Sequence, residues 1–142
     1  MITRVCISIN NRCNLNCKYC HFHEKKGAII ESEMNVFQIL DNIRQYIEKY
    51  AVPSFKIGFV GNGEPLLEFG KLRGYLDHIA DLLESGVVSA YTITNGTILN
   101  RAMVEYLSAH RVNVGFSIDG LKDIHDKWRC HSHDIVMKNI EL

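Results

Sequence analysis

Three thiols are concentrated in one short stretch near the N-terminus. Cys13, Cys17 and Cys20 stand in Asn11-Arg-Cys-Asn-Leu-Asn-Cys-Lys-Tyr-Cys-His21, a C-x3-C-x2-C array just past an apolar run. Thiolates are soft donors suited to iron-sulfur clusters and to zinc. A cubane cluster ordinarily takes four cysteine thiolates, so a loop offering three leaves one iron open to another ligand. The same loop with His21 or His23 would form a Cys3His structural zinc site. Disulfides are disfavoured: five cysteines is an odd count, and Met1-Ile-Thr-Arg-Val-Cys6 lacks a basic head followed by an apolar signal core. The expectation is reduced thiols in a cytoplasm. Cys6, inside an apolar run, reads as a small buried hydrophobe, and Cys130 stands too far along the chain to be assigned to the loop.

Composition sets the frame in which such a loop must be held. The chain has 142 residues, 46% hydrophobic and 23% charged, which suits one domain with its own core, spanning 1–142. No stretch is apolar for long enough to cross a membrane. Sixteen basic and sixteen acidic side chains give a formal net charge of +0, so bulk charge offers nothing to attract nucleic acid. Two prolines and the lack of low-complexity tracts leave no sign of a linker.

Periodicity then supplies the elements that position the loop. Val5 to Ile9 reads as a strand, rich in β-branched residues and closed by Asn10 and Asn11. Val36, Phe37, Leu40, Ile43 and Ile47 fall at helical spacing, with Asn35 and Gln38 placed as a capping pair. Phe55 to Val60 is a second strand. Leu72, Leu76, Ile79, Leu82 and Leu83 predict one helix that stops near Gly86. Val88 to Thr94 is strand, Asn100 to His110 helix, Val112 to Ile118 strand, and a last helix starts near Ser132. Such alternation predicts an α/β fold of about four right-handed βα units on a parallel sheet.

Every polar motif falls at the end of a predicted strand. The cysteine loop follows the first, Gly61-Asn-Gly-Glu-Pro65 the second, Thr94-Asn-Gly96 ends the third and Ser117-Ile-Asp-Gly120 the fourth. In parallel α/β folds the C-terminal strand ends share one rim, where ligands bind, so four segments are expected to converge on one site. Taken singly, each has a plainer reading. Gly-Asn-Gly and Asp119-Gly120 form turns for conformational reasons alone, Arg129 can be a solvated charge, and His125 with Asp126 can be a local hydrogen-bonded pair.

Taken together and in order, these segments resemble the radical S-adenosylmethionine (radical SAM) enzymes. The C-x3-C-x2-C spacing with an aromatic residue before the last cysteine is similar to the family's cluster signature, and Gly61 to Pro65 resembles its GGEP segment, with Asn62 in place of the first glycine. Ser117 to Gly120 joined to His125-Asp126-Lys-Trp-Arg129 resembles the S-x-D-G and H-D-x-x-R pattern of members that modify peptides and proteins, including anaerobic sulfatase-maturating enzymes. The resemblance implies a 4Fe-4S cluster on Cys13, Cys17 and Cys20, with SAM chelated to the fourth iron. It also implies one-electron cleavage of SAM to methionine and a 5′-deoxyadenosyl radical. SAM contacts are implied for Gly63, Glu64, Asn95, Ser117, Asp119 and Arg129, with Glu64 on the methionine ammonium and Arg129 on the carboxylate. No residue is implicated in catalysis on the substrate.

The implied fold is a partial parallel (βα) barrel, truncated here to about four of six units, without the family's later strands and C-terminal extension. The implied partners are a peptide or protein substrate, a flavodoxin- or ferredoxin-type electron donor, and a completing chain or second copy. Two other classes fit parts of the pattern. Small glycyl-radical-enzyme activases are short, although the Ser117 to Gly120 and His125 to Arg129 segments argue against one. A non-catalytic iron-sulfur or zinc module, or an inactive fragment, needs the cysteine loop but leaves Glu64 and Asp119 on the same rim unexplained.

Overall fold

The computed structural model describes residues 1–21 and 35–142. Strands β1 (Arg4–Ser8), β2 (Phe55–Val60), β3 (Val88–Thr94) and β4 (Asn113–Phe116) form one parallel sheet in the order β1-β2-β3-β4. Helix α1 (Val36–Tyr50) precedes β2, α2 (Phe69–His78) and α3 (Ala80–Glu84) precede β3, and α4 (Arg101–Ala109) precedes β4. Two helices, α5 (Lys122–Trp128) and α6 (His133–Ile140), follow β4, and a 3-10 turn at Pro65–Glu68 leads into α2. The expected βα alternation and parallel sheet are present. The sheet is open.

Local sequence explains most of the boundaries. α1 buries Val36, Leu40, Ile43 and Ile47 on one face, and the Asn35 side chain caps it by accepting from the Gln38 N–H. The expected reciprocal bond is absent, because the Gln38 amide turns forward to Asn42, 3.4 Å away. The chain leaves α1 through Ala51 at φ 46°, a left-handed exit that helix ends favour. The single helix expected from Leu72 to Leu83 is two helices. Its apolar stripe is continuous, but the backbone breaks at Ile79 (φ −116°, ψ 19°), where Arg44 Nη2 donates to the His78 carbonyl at 3.3 Å. α5 escaped the periodicity because His125 is its sole buried residue, so it carries no apolar stripe to read.

Helices cover one face of the sheet. Ile7, Phe55, Ile57, Phe59, Val88 and Ala90 are buried there against Leu40, Leu72, Leu76 and Leu107. Among the described residues nothing covers the opposite face, and this corrects the reading of Cys6. Cys6 is exposed, because side chains alternate along a strand and its neighbours Val5 and Ile7 face the helices. On the open face, register aligns Cys6, Gly58, Tyr91 and Asn113. A Cβ on Gly58 would stand 2.4 Å from the Tyr91 ring, so the glycine lets Tyr91 lie across β2, its hydroxyl 3.2 Å from Cys6 Sγ and accepting from Arg4 Nη2 at 2.6 Å. Among the described residues no helix is long and apolar enough to cross a membrane.

The link from β3 to the core runs through α4, whose start is fixed by Asn100. Its side chain accepts from the Met103 N–H at 3.1 Å, satisfying a backbone donor that the first turn leaves unpaired. Asn100→Ala is expected to destabilise the domain by about 0.5–2 kcal/mol. The check is the shift of the denaturant midpoint at an unchanged slope.

Candidate functional site

The C-terminal ends of the four strands do share one rim, and their loops enclose a cavity of about 340 Å³. Cys13, Cys17 and Cys20 line it. So do Gly63, Glu64, Asn95, Ser117 and Arg129. Asp119 stands behind this wall, with its carboxylate turned to Tyr19 and Arg129. His21 also lines the cavity, while His23, the other fourth zinc donor considered, lies outside the described residues.

Three of the loops are joined at Glu64, which is 2% exposed. Its Oε1 accepts from the Thr94 hydroxyl at 2.6 Å and from the Leu66 N–H at 3.1 Å, and its Oε2 accepts from the Asn95 N–H at 2.7 Å. Burial raises the carboxyl above its ordinary range, and these three donors pull it back in part. A carboxylate has about four lone-pair sites, so one on Oε2 is unspent. The Glu64 backbone donates to the Arg12 carbonyl at 2.7 Å and its carbonyl accepts from Asn10 Nδ2 at 2.8 Å. Gly63 makes this approach feasible: a Cβ there would lie 2.0 Å from the Arg12 oxygen. Arg12 also pairs with Glu68.

Asn95 joins the third strand to the same loop. Its Nδ2 donates to Asn14 Oδ1 at 2.9 Å and lies 3.9 Å from Cys13 Sγ. The Asn14 amide in turn donates to the Thr97 hydroxyl at 2.7 Å. Gly96, at φ +77°, makes the turn beneath, where a Cβ would meet the Phe116 ring at 2.9 Å. Asn139 of α6 supports the turn from outside by donating to the Gly96 carbonyl at 2.8 Å.

The fourth segment is organised by a histidine. His125 is fully buried; its Nδ1 accepts from the Asp119 N–H at 3.3 Å, which leaves Nε2 to donate to Ser132 Oγ at 3.0 Å. The Ser132 hydroxyl in turn donates to the Arg129 carbonyl at 2.7 Å. His125 and Asp126 are therefore not a pair. Asp126 instead accepts from the His133 N–H at 2.9 Å, at the start of α6. Burial, then the nearby Arg129 charge, pushes the His125 ring below its ordinary 6.5. Burial raises the Cys17 thiol, against the pull of Arg129.

Asn14 and Thr97 carried no signal of their own, and Thr94 stood out only as the first residue of the Thr94-Asn-Gly96 segment. Thr94, Asn14 and Thr97 act through contacts that are distant in the chain, Thr94 on Glu64 and Asn14 on Thr97. Cys130 proves to sit against the loop after all, its Sγ 3.3 Å from the Asn16 N–H. The donor set suits a cluster. Three thiols from one loop, with polar side chains facing them, match the three-cysteine pattern that leaves one iron open. Among the described residues no three His, Cys, Asp or Glu side chains are grouped about a single metal-ion position.

Comparison with known proteins agrees with this geometry. The Radical SAM superfamily model matches residues 7–142. An uncharacterized protein, MJ0907 of Methanocaldococcus jannaschii, is 33% identical over 118 residues, covering 82% of this chain and 38% of that protein. A cysteine-type anaerobic sulfatase-maturating enzyme of Clostridium novyi is 26% identical over 141 residues, covering 94% of this chain and 38% of the enzyme. The solved structure of native anSMEcpe with bound AdoMet and the Cp18Cys peptide superposes with a TM-score of 0.72 at 23% identity, covering 99% of this chain and 39% of that one. The chain thus spans about two fifths of the length of these relatives.

The buried ring makes stability depend on pH. Because the folded state holds His125 below 6.5, the unfolded chain takes up the proton first. Its contribution is complete above about pH 6.5 and declines as pH falls through the folded value. Glu64, shifted upward, works in the opposite direction. Comparing thermal unfolding of the wild type and His125→Gln at about pH 7.5 and 5.5 isolates the histidine. The wild type is expected to lose more stability than the variant over that interval.

Proposed function

The chain belongs to the radical SAM superfamily, and from that membership we propose that it is the cofactor-holding part of an enzyme that modifies a peptide or protein. Cys13, Cys17 and Cys20 would hold a 4Fe-4S cluster and leave one iron open to SAM. The observation that carries this reading is the single cavity that joins the three thiols to Glu64, Asn95, Ser117 and Arg129. When bound, cluster and SAM would supply radical chemistry, through one-electron reductive cleavage of SAM by the reduced cluster.

This chain's residues bind and orient. The unspent Oε2 site of Glu64 receives the methionine ammonium, with Gly63 allowing the backbone to approach closely. The guanidinium of Arg129 takes the methionine carboxylate, which a planar fork matches. Ser117 offers a hydroxyl to the ribose or carboxylate, while the Asn95 amide is committed within the protein, its Oδ1 accepting from the Thr97 N–H and hydroxyl and its Nδ2 donating to Asn14. Asn95 acts on the cluster side, because its Nδ2 lies against Cys13 Sγ and hydrogen bonds to cluster sulfurs help set the potential.

A peptide or protein substrate is supported by the S-x-D-G and H-D-x-x-R segments and by the sulfatase-maturating relatives, one of which is held with a peptide. An electron donor of flavodoxin or ferredoxin type would supply the electron. The remaining parts of the active site would come from chain beyond this portion or from a partner.

Two measurements bear on this function. After anaerobic reconstitution, changing Cys13, Cys17 or Cys20 to Ala is expected to abolish the four-iron signal, whereas Cys6→Ala and Cys130→Ala retain the iron; iron analysis decides. Glu64→Gln is expected to keep the iron but weaken SAM by ~1.5–3 kcal/mol in a binding titration. The same change sets an amide against the Asn95 N–H or the Thr94 hydroxyl, so the variant should also unfold at a lower temperature. Equal SAM affinity in variant and wild type would remove Glu64 from the site.

A further inference from the structure

The carboxylate of Asp119 touches two residues of the cavity wall without lining the cavity itself. Its Oδ2 accepts from Arg129 Nε at 2.9 Å and from the Tyr19 hydroxyl at 2.6 Å. The Arg129 guanidinium carbon lies 5.3 Å over the Tyr19 ring, within range of a cation–π contact. Tyr19 stands between Cys17 and Cys20 and lines the cavity beside Arg129. One carboxylate behind the wall therefore grips the cysteine loop and the arginine together.

From this geometry we propose that Asp119 is a positioning residue, which presets the Arg129 guanidinium to receive the SAM carboxylate and makes no contact with SAM of its own. The inference rests on the preceding reading of the cavity. Three observations carry it. Pairing through Nε leaves both terminal nitrogens of the fork available. An unrestrained arginine has many rotamers to lose on binding, and here Asp119 and the Tyr19 face already restrain the side chain, while the bonds with His125 and Ser132 hold its backbone. A carboxylate ligand brought directly against Asp119 would meet like charge, whereas one met across Arg129 does not.

The backbone behind Asp119 is equally constrained. Its N–H is held by His125, and the ring continues through Ser132 to the Arg129 carbonyl, while Arg129 N–H donates to the His125 carbonyl at 2.7 Å. The strand-end Ser117 to Gly120 segment and the following helix thus act as one unit whose output is the orientation of a single guanidinium. Asp119 itself stays ionised: burial pushes it up, but the bonds from Tyr19 and Arg129 and the Arg129 charge outweigh burial and hold it below the ordinary carboxylate range.

The test is a double-mutant cycle on the iron-loaded chain, titrated anaerobically with SAM and with decarboxylated SAM, comparing wild type, Asp119→Ala, Arg129→Gln and the double variant. Asp119→Ala is expected to keep its iron and to weaken SAM by about tenfold, and the double variant to bind SAM no more weakly than Arg129→Gln alone. Decarboxylated SAM, lacking the group that Arg129 receives, should bind wild type and Asp119→Ala alike. Additive losses, an equal loss with decarboxylated SAM, or loss of iron in Asp119→Ala would each overturn the assignment. An iron-loaded wild-type chain that binds no SAM would overturn both this inference and the cavity reading beneath it, whereas additive losses against a wild type that binds SAM would leave that reading standing.

Discussion

A carboxylate removed from water must find its partners inside the protein, and the site is built around the way Glu64 finds them. The side chain is 2% exposed and takes its donors from Thr94, Asn95 and Leu66. Its backbone meets Arg12 and Asn10. Satisfying the buried charge therefore fixes the end of β3 relative to the end of β2, and the backbone bonds of the same residue fix the start of the cysteine loop against it. Any displacement of one loop leaves a buried polar group unpaired. Glycine at position 63 is the steric condition for the arrangement, since the Arg12 oxygen occupies the space a side chain would need.

The architecture was largely legible in the sequence because its signals are local. Val88 to Thr94 and Phe55 to Val60 were bounded to the residue, being short β-branched runs flanked by turn residues. The convergence of the four motifs followed from the parallel sheet alone. What escaped depends on tertiary partners. The break at Ile79 is set beside Arg44, which reaches across from α1, and α5 packs one histidine and no apolar stripe. Cys6 lies in an apolar run yet is exposed, because alternation along β1 turns it to the face of the sheet that the described helices do not cover.

The candidate site divides along the same line. The cysteines, Glu64 and Arg129 could be named from their chemistry and order in the chain. Their supports could not, since Asn14, Thr97 and Ser132 are small polar residues of common type whose importance lies in what they touch. The S-x-D-G and H-D-x-x-R segments show the distinction well. As sequence they suggested a row of cofactor contacts; as structure, His125 is a buried ring that joins two turns, Asp126 starts the next helix, and Arg129 is left to face the cavity.

The central claim is that three thiols on one loop leave one iron of a cluster for SAM. Mössbauer spectroscopy of the anaerobically reconstituted chain tests it most directly, because it reports each iron's coordination. The expected result is a four-iron cluster in which one iron is distinct and changes its isomer shift when SAM is added, while the other irons do not. A chain that takes up zinc and assembles no such cluster, or a cluster whose irons all ignore SAM, would contradict it.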